Sequence, residues 1–172
     1  MAGRSDLFSL LDSNHIKYET VDHPAFFTVE DGRQFKAEMP GGHSKNLFLK
    51  DKKKALSLAV AHCDTQVDLL GLGKTIGSKG RLSFGKREPM LQVLGATPGL
   101  VTPFALINAA SKALSQVVLD RALFKWEKLW FHPLENTAST SISPDDLLKF
   151  IAVCGFEPLV LDLTAPQADV AL

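Results

Sequence analysis

The spacing of apolar and polar positions in the first part of the chain changes from helical to extended and back. Leucines at positions 7, 10 and 11 fall on one side of a helix predicted over 5–14. Residues 16–21 alternate apolar and polar side chains, as a half-buried strand does, and His23-Pro24 ends the run. The segment Thr28-Val-Glu-Asp31 has the spacing of a capping box. It predicts a second short helix that reaches about position 35.

The middle of the chain predicts a hairpin followed by a loop-rich connector. Apolar runs at 46–49 and 55–61 are separated by a polar turn at 50–54, so we expect two paired strands with a lysine-rich tip. A short helical segment at 67–72 precedes a stretch dense in glycine. Residues 86–94 predict a helix with Pro89 in its first turn, and Gly95 ends it.

The last third combines short strands with one well-marked helix. Ser143-Pro-Asp-Asp146 supplies a hydroxyl cap, a first-turn proline and two acids, so a helix begins there and runs to Cys154. We expect strands at 101–107, 116–119, 128–131, 139–142 and 156–163. Short strands interleaved with short helices predict an α+β fold with a mixed sheet. The chain of 172 residues fits one domain over 1–172, with a frayed tail over 164–172.

Charge is distributed unevenly along a chain whose formal net charge is zero. Residues 36–87 contain eleven Lys or Arg against four acids, a net +7, so the remainder carries −7. One basic third in a neutral protein is consistent with docking a phosphate backbone on one face. Ordinary solvated lysines would give the same count, so charge alone leaves both interpretations open.

Several motifs and locations are excluded. Gly73-Lys74-Thr75 lacks the glycine five residues earlier that a phosphate-binding loop needs, because Asp68 stands there. No GxSxG motif occurs, no two histidines have the spacing of a helix-borne metal site, and neither Cys63 nor Cys154 belongs to a CxxC pair. We therefore expect no metal and no cofactor. No apolar run approaches the ~20 residues of a membrane span, and a secretory signal is missing, so we expect a soluble, cytoplasmic protein.

Two stretches carry the functional signal. Gly41-Gly-His-Ser-Lys-Asn-Leu-Phe-Leu49 delivers Lys45 and Asn46 into an apolar strand, where a lysine is costly unless an anionic or hydrogen-bonding group meets it. A lysine that snorkels to water at the strand entrance is the alternative. Gly95-Ala-Thr-Pro-Gly-Leu-Val-Thr-Pro103 is a fixed loop that can present backbone N–H groups to a carbonyl or phosphate, although a plain connector has the same composition.

Together these stretches resemble the YbaK/prolyl-tRNA synthetase editing family over nearly the whole chain. The matching features are the opening helix, Tyr18 to Ala25, Phe27-Thr28-Val29-Glu30, His43 to Asp51, the loop from Gly95 to Pro103, His132-Pro133-Leu134 and Asn136-Thr137. The block from His43 to Asp51 and the Phe-Thr-Val-Glu segment look most like the free-standing alanyl-tRNA(Pro) deacylase branch, often called ProXp-ala or PrdX.

The resemblance implies a curved mixed sheet and hydrolysis of the ester that joins alanine to tRNA(Pro), with the tRNA 3′ end in a small pocket. It implies that Lys45 holds the terminal phosphate or ribose and that backbone groups of Thr97, Pro98 and Gly99 receive the substrate carbonyl. The residues expected around the pocket are Asn46, Thr102, His132, Asn136, Phe27 and Val29. The basic residues expected at the acceptor stem are Lys50, Lys52, Lys53, Lys79 and Arg81. Nothing near Lys45 in the sequence marks it as a covalent nucleophile.

Two alternative functions stay open. The protein could hydrolyse another mischarged tRNA, such as Cys-tRNA(Pro), because the side chains that set the pocket size cannot be read from sequence. It could instead be a non-enzymatic nucleic-acid-binding protein, which the basic segment favours but no recognisable reading helix or aromatic RNA-binding motif supports. The oligomeric state, and docking on prolyl-tRNA synthetase, are likewise undetermined.

Overall fold

A computed structural model describes residues 1–26 and 29–164, together with the backbone but not the side chain of Val29. Its helices are α1 (Arg4–Ser13), α2 (Val29–Glu38), α3 (Leu69–Thr75), α4 (Arg87–Leu94) and α5 (Pro144–Val153). Its strands are β1 (Tyr18–Asp22), β2 (Gly42–Lys50), β3 (Leu56–His62), β4 (Ser83–Phe84), β5 (Gln116–Asp120), β6 (Leu129–Phe131), β7 (Ala138–Ile142) and β8 (Leu159–Leu161). In this part of the chain no helix is both long enough and apolar enough to span a membrane.

The strands form one mixed sheet in the order β1-β7-β6-β2-β3-β5-β8, with β4 attached to β2. The hairpin of β2 and β3 is antiparallel, whereas β3, β5 and β8 run parallel to one another. Strands β6 and β7 pair antiparallel, as do β7 and β1. The mixed sheet with several helices confirms the predicted α+β class.

One edge of β2 is shared between two partners and is open between them. Gly42 and His43 pair with β6 at the start of the strand, and Leu49 and Lys50 pair with β4 at its end. Between these two contacts no described strand pairs with β2 on that side, while the opposite edge remains paired with β3 throughout. The sheet therefore has a gap beside residues 44–47, and this gap positions the functional site.

The core lies on both faces of the central hairpin. Leu58 and Val60 pack into the larger cluster with Phe48, while Ala59 and Ala61 pack into a smaller cluster on the other face. Burial on both faces explains why β3 appears in the sequence as a continuous apolar run rather than an alternating one.

The predicted boundaries of α4 and α5 follow from their caps. The Ser143 hydroxyl accepts a hydrogen bond from the Asp146 N–H at 3.1 Å, with Pro144 in the first turn. Gly95 ends α4 with a φ of 64°, in the left-handed region. Both helices were predicted because these residue types satisfy free backbone groups at helix ends.

The strand predicted at 101–107 is wrong. Pro103–Asn108 form a 3₁₀ helix, and the Thr102 hydroxyl caps it by accepting from the Phe104 N–H. Residues 103–106 are completely enclosed, and a short apolar run that is buried all round shows the same sequence pattern whether it is helical or extended.

Near the carboxyl terminus the closing strand is shorter than predicted, because only Leu159–Leu161 pair with β5. Thr164 forms an isolated bridge with Val67. The remainder of the predicted frayed tail, 165–172, lies outside the described residues.

Candidate active site

A cleft of about 460 Å³ opens at the gap beside β2. Six consecutive residues of β2, from His43 to Phe48, line it, because the cleft meets the open edge of the strand as well as its face. The other walls come from α2, β4, α4, the loop before the first 3₁₀ helix, β6 and β7. The two sequence stretches with the strongest functional signal therefore border one cavity.

The entrance of β2 depends on a close approach to β6. The Gly42 N–H donates to the Lys128 carbonyl at 2.8 Å, and a Cβ on Gly41 would lie 2.8 Å from the same oxygen. A side chain at Gly41 would force the two strands apart. The glycine pair thus fixes the position from which Lys45 enters the cleft.

Lys45 lies half-buried in the cleft wall, and within the described residues its ammonium makes no hydrogen bond or ion pair. Lys36 of α2 adds a second cation to the lining. No carboxylate is among the described lining residues. A cleft with a half-buried Lys45, an exposed Lys36 and no carboxylate among its described lining residues favours an anionic or oxygen-rich ligand.

Asn46 connects the two motifs directly. Its Nδ2 donates to the Val101 carbonyl at 2.9 Å, and its Oδ1 accepts from the Ser44 hydroxyl at 3.3 Å. Because Val101 belongs to the Gly/Pro loop, this contact fixes the loop against β2. Asn46 lines the cleft, and its amide is already engaged in holding the loop.

The Gly/Pro loop presents few free donors to the cleft. Pro98 and Gly99 line the cavity, and the Thr97 carbonyl accepts from the Leu100 N–H at 2.9 Å. Pro98 has no N–H, and the N–H groups of Thr97 and Gly99 bond to no described residue. Gly99 has a φ of 88°, a conformation that favours glycine. The Gly99 N–H is therefore the backbone donor that this loop offers at the lining of the cleft.

Two histidines of the lining have their protons held by backbone carbonyls. His132 Nδ1 is 3.5 Å from the Ala138 carbonyl, and His43 Nε2 is 2.9 Å from the Met39 carbonyl. Since a carbonyl only accepts, each of these nitrogens carries the proton. Burial lowers the pKa of both imidazoles below the ordinary value, so both rings are neutral near pH 7. His132 Nε2 is left as a hydrogen-bond acceptor.

The structure also pairs two residues that sequence analysis did not connect. His23 Nε2 lies 2.9 Å from the Ser139 hydroxyl, and His23 Nδ1 lies 2.9 Å from the Pro24 carbonyl. Ser139 lines the cleft, whereas His23 is buried behind it. His23 belongs to a segment that matched the family. However, it lies 116 positions from Ser139 in the sequence, so no local motif could predict their contact.

Some predicted pocket residues lie elsewhere. Thr102 is fully buried and caps the 3₁₀ helix, so it supports the loop rather than lining the cleft. Asn136 is half-buried and is not part of the lining. Phe27, together with the side chain of Val29, falls outside the described residues. Lys36 and the exposed ring of Phe84 line the cleft but were not singled out from the sequence.

The predicted tRNA-binding lysines converge around one buried carboxylate. Asp51 Oδ1 accepts from the N–H groups of Lys53 and Ala55 at 2.8 and 2.9 Å, and Oδ2 accepts from the Lys79 N–H at 2.8 Å. The hydrogen bond from Lys79, with those from Ala55 and Lys53, lowers the pKa of Asp51. Asp51 thereby joins the hairpin tip to a loop far along the chain. The exposed side chains brought together are those of Lys52, Lys53, Lys79 and Arg81, with Lys50 half-buried at the end of β2.

Cys63 and Cys154 are half-buried free thiols. Burial raises the pKa of Cys154 to about 12, and burial together with Asp64 raises the pKa of Cys63. His62, Cys63 and Asp64 place potential metal ligands within 4.8 Å of one another. However, His62 Nδ1 already accepts from the Asp64 N–H at 3.2 Å, so a turn at the end of β3 accounts for this cluster.

Known proteins are similar to this chain in sequence and in fold. The profile of the aminoacyl-tRNA editing domain matches residues 23–150, a range that contains all the described cleft-lining residues. Prolyl-tRNA synthetase associated domain-containing protein 1 of Mus musculus is 38% identical over 170 residues, covering 94% of this chain and 99% of the mouse protein. Prolyl-tRNA editing protein ProX of Acetoanaerobium sticklandii is 31% identical over 156 residues, covering 90% of this chain and 94% of ProX.

A solved structure of a candidate trans-editing enzyme for prolyl tRNA synthetase matches with a TM-score of 0.70. It is 21% identical and covers 96% of this chain and 99% of that chain, which shows a common fold. The family resemblance inferred from the sequence motifs is confirmed. This chain belongs to the aminoacyl-tRNA editing domain family.

Proposed function

We propose that this protein hydrolyses the ester bond of mischarged Ala-tRNA(Pro). The observation that carries the proposal is the cleft beside β2, where Lys45 and Gly99 line one cavity and no carboxylate occurs among the described lining residues. Such a cavity suits the phosphate or ribose of a tRNA 3′ end next to a carbonyl that develops negative charge. Membership of an editing family, and relatives named for prolyl-tRNA synthetase and prolyl-tRNA editing, support the choice of tRNA(Pro).

In the proposed reaction a water molecule attacks the ester carbonyl carbon. The bond from that carbon to the ribose oxygen breaks, the ribose oxygen takes a proton, and free alanine and tRNA are released. Lys45 holds the terminal phosphate or ribose, and the Gly99 N–H donates to the carbonyl oxygen as charge develops there. The neighbouring ribose hydroxyl of the tRNA assists in activating the water. No protein nucleophile is needed, because an aminoacyl ester is already activated.

Affinity for tRNA is proposed to come from the basic surface around Asp51, formed by Lys50, Lys52, Lys53, Lys79 and Arg81. Their contacts with acceptor-stem phosphates would strengthen binding irrespective of base sequence. Phe84 is 63% exposed at the rim of the cleft and offers a face on which an unpaired base can stack. We also propose a cytoplasmic location and an association with prolyl-tRNA synthetase during proofreading.

Selectivity would follow the logic of a second sieve. The aminoacylation site of prolyl-tRNA synthetase is sized for proline and cannot strongly reject the smaller alanine. The misacylated tRNA must therefore be hydrolysed at a second site. Hydrolysis of Cys-tRNA(Pro) is the competing specificity within the same chemistry.

The test is the release of amino acid from purified tRNA(Pro) charged with alanine, cysteine or proline. We expect rapid hydrolysis of the alanyl ester, slower hydrolysis of the cysteinyl ester, and a prolyl ester that decays at its spontaneous rate. If cysteine were released faster than alanine, the preferred substrate would be Cys-tRNA(Pro) and the proposed specificity would be wrong. Tight binding without cleavage of any ester would instead favour a non-enzymatic RNA-binding protein.

A further inference from the structure

The Ser139 hydroxyl has its proton directed away from the cleft. The Pro24 carbonyl accepts from His23 Nδ1, so in the neutral ring Nε2 carries a lone pair. The hydrogen bond of 2.9 Å between that nitrogen and Ser139 is then donated by the serine. Because Ser139 lines the cavity, the side that faces the cleft carries only oxygen lone pairs.

The ring of His23 is held in place by more than its two hydrogen bonds. It stacks on Phe26 with ring centroids 4.1 Å apart and an angle of 7° between the planes, and Phe35 packs at 5.2 Å. Together with burial, these contacts fix the orientation in which Nε2 points at Ser139. His23 is therefore a positioning residue for the hydroxyl.

The lining also holds two acceptors on β2: the Ser44 hydroxyl, whose proton goes to Asn46 Oδ1, and His43 Nδ1, the unprotonated nitrogen of a neutral ring. Lys36 and Lys45 only donate, and both ends of the Asn46 amide are used by Val101 and Ser44. His132 Nε2 is also an acceptor. The antiparallel register of β6 and β7 pairs Phe131 with Thr140, and continuing it by one residue places His132 beside Ser139. Ser139 and His132 therefore place two acceptors side by side in the lining, while Lys45 and the Gly/Pro loop supply donors.

On the basis of the proposed function, we propose that Ser139 binds the α-amino group of the aminoacyl ester. An aminoacyl ester has groups of both kinds: its phosphate and carbonyl oxygens accept, its amino group donates, and its free ribose hydroxyl does both. With the oxygens at Lys45 and Gly99, the amino group is the one donor of the aminoacyl moiety that remains for Ser139 and His132. Ser139 thus distinguishes an aminoacyl ester from a simple acyl ester.

The experiment compares alanyl-tRNA(Pro) with propionyl-tRNA(Pro), which has hydrogen in place of the amino group. Two substitutions of nearly equal shape differ only in the hydroxyl, Ser139→Thr and Ser139→Val. We expect Ser139→Val to lower kcat/KM for the alanyl ester on the order of tenfold, the effect of one lost hydrogen bond, and to leave the propionyl ester unchanged. Ser139→Thr should behave as the wild type with both esters.

His23→Phe provides a second test, because it retains an aromatic ring for Phe26 and removes the acceptor for Ser139. We expect the same selective loss with the alanyl ester, whereas a purely structural role would lower hydrolysis of both esters equally.

Equal losses with both esters in folded Ser139→Val would overturn the assignment, as would no loss with either. Complete loss with both would indicate that Ser139 attacks the ester itself, which also contradicts it. If the wild-type protein cleaves no aminoacyl-tRNA, the proposed function fails instead, so the two failures are distinguishable.

Discussion

At the scale of single residues, the substitution Gly99→Ala tests the role of the Gly/Pro loop. The φ of 88° at Gly99 favours glycine, yet a Cβ there would meet nothing within 4 Å. Gly99→Ala therefore strains the backbone, by roughly 1–2 kcal/mol, without a steric clash. We expect the loop to shift and kcat/KM for Ala-tRNA(Pro) to fall by roughly tenfold to a hundredfold, since small displacements of catalytic groups are costly.

Gly77 is the matched control for this substitution. It has a φ of 70° and equally open surroundings, and it is not part of the cleft lining. Gly77→Ala should lose comparable stability in thermal unfolding and keep its activity. Equal losses of activity in the two variants would show that the Gly99 effect is only a loss of stability.

The two cysteines provide a second prediction at this scale. Their raised pKa values leave almost no thiolate at pH 7, and thiolate is the reactive form of cysteine. We expect the double substitution Cys63→Ala and Cys154→Ala to keep wild-type hydrolysis, and iodoacetamide at pH 7 to leave the native enzyme active. If iodoacetamide inactivated the wild-type protein but not the double variant, a thiol would have to take part in the mechanism.

The sequence alone could locate some residues of the cleft but not others. Lys45, Asn46 and the Gly/Pro loop belong to contiguous motifs, so their place in the cleft could be predicted. Ser139 could not, because its task depends on a histidine 116 residues away. Thr102 was misplaced because a hydroxyl before a proline suits a helix cap as well as a pocket wall.

At the scale of structural elements, Asp51 organises the proposed tRNA-binding surface. Its carboxylate accepts three backbone N–H bonds from two separate loops. Asn in its place keeps one acceptor oxygen, so we expect Asp51→Asn to loosen the loops, lower the melting temperature and weaken tRNA binding. Glu157→Gln, at an exposed carboxylate outside this surface that bonds to no described residue, is the control for both measurements.

The direction in which the stabilisation by Asp51 changes with pH follows from its pKa. Hydrogen bonds lower the pKa of Asp51 in the folded protein, so its stabilisation is complete above the unfolded-state pKa, near 3.8. It is lost as the pH falls through the lower folded-state pKa. The difference in melting temperature between wild type and Asp51→Asn should therefore be full at pH 7 and shrink below about pH 4. A difference that is constant across this range would assign the effect to something other than the ionised carboxylate.

Helices with strong caps and the central hairpin were predictable, because local residue types determine them. The 3₁₀ helix at Pro103–Asn108 and the two-residue strand β4 were not. Their conformations depend on burial and on pairing with β2, which are tertiary effects. The gap beside β2 is likewise a property of strand order and has no signature in the sequence of β2 itself.

At the scale of the whole molecule, the uneven charge predicts salt-sensitive binding. The logarithm of the association constant for tRNA should fall linearly with the logarithm of salt concentration, by roughly 0.7–0.9 for each phosphate neutralised. Replacing Lys52 and Lys79 by Ala should reduce that slope by about 1.5. Replacing Lys17 and Lys149, exposed lysines outside the basic surface, should leave it unchanged in a filter-binding titration.

The central claim is that the cleft at Lys45 is where the ester is cleaved. The most direct measurement is single-turnover release of labelled alanine from Ala-tRNA(Pro) by the wild type, Lys45→Ala and the exposed-surface control Lys149→Ala. We expect Lys45→Ala to fold normally and to slow release at least on the order of a hundredfold, while Lys149→Ala matches the wild type. A folded Lys45→Ala variant that released alanine as fast as the wild type would contradict the assignment of this cleft.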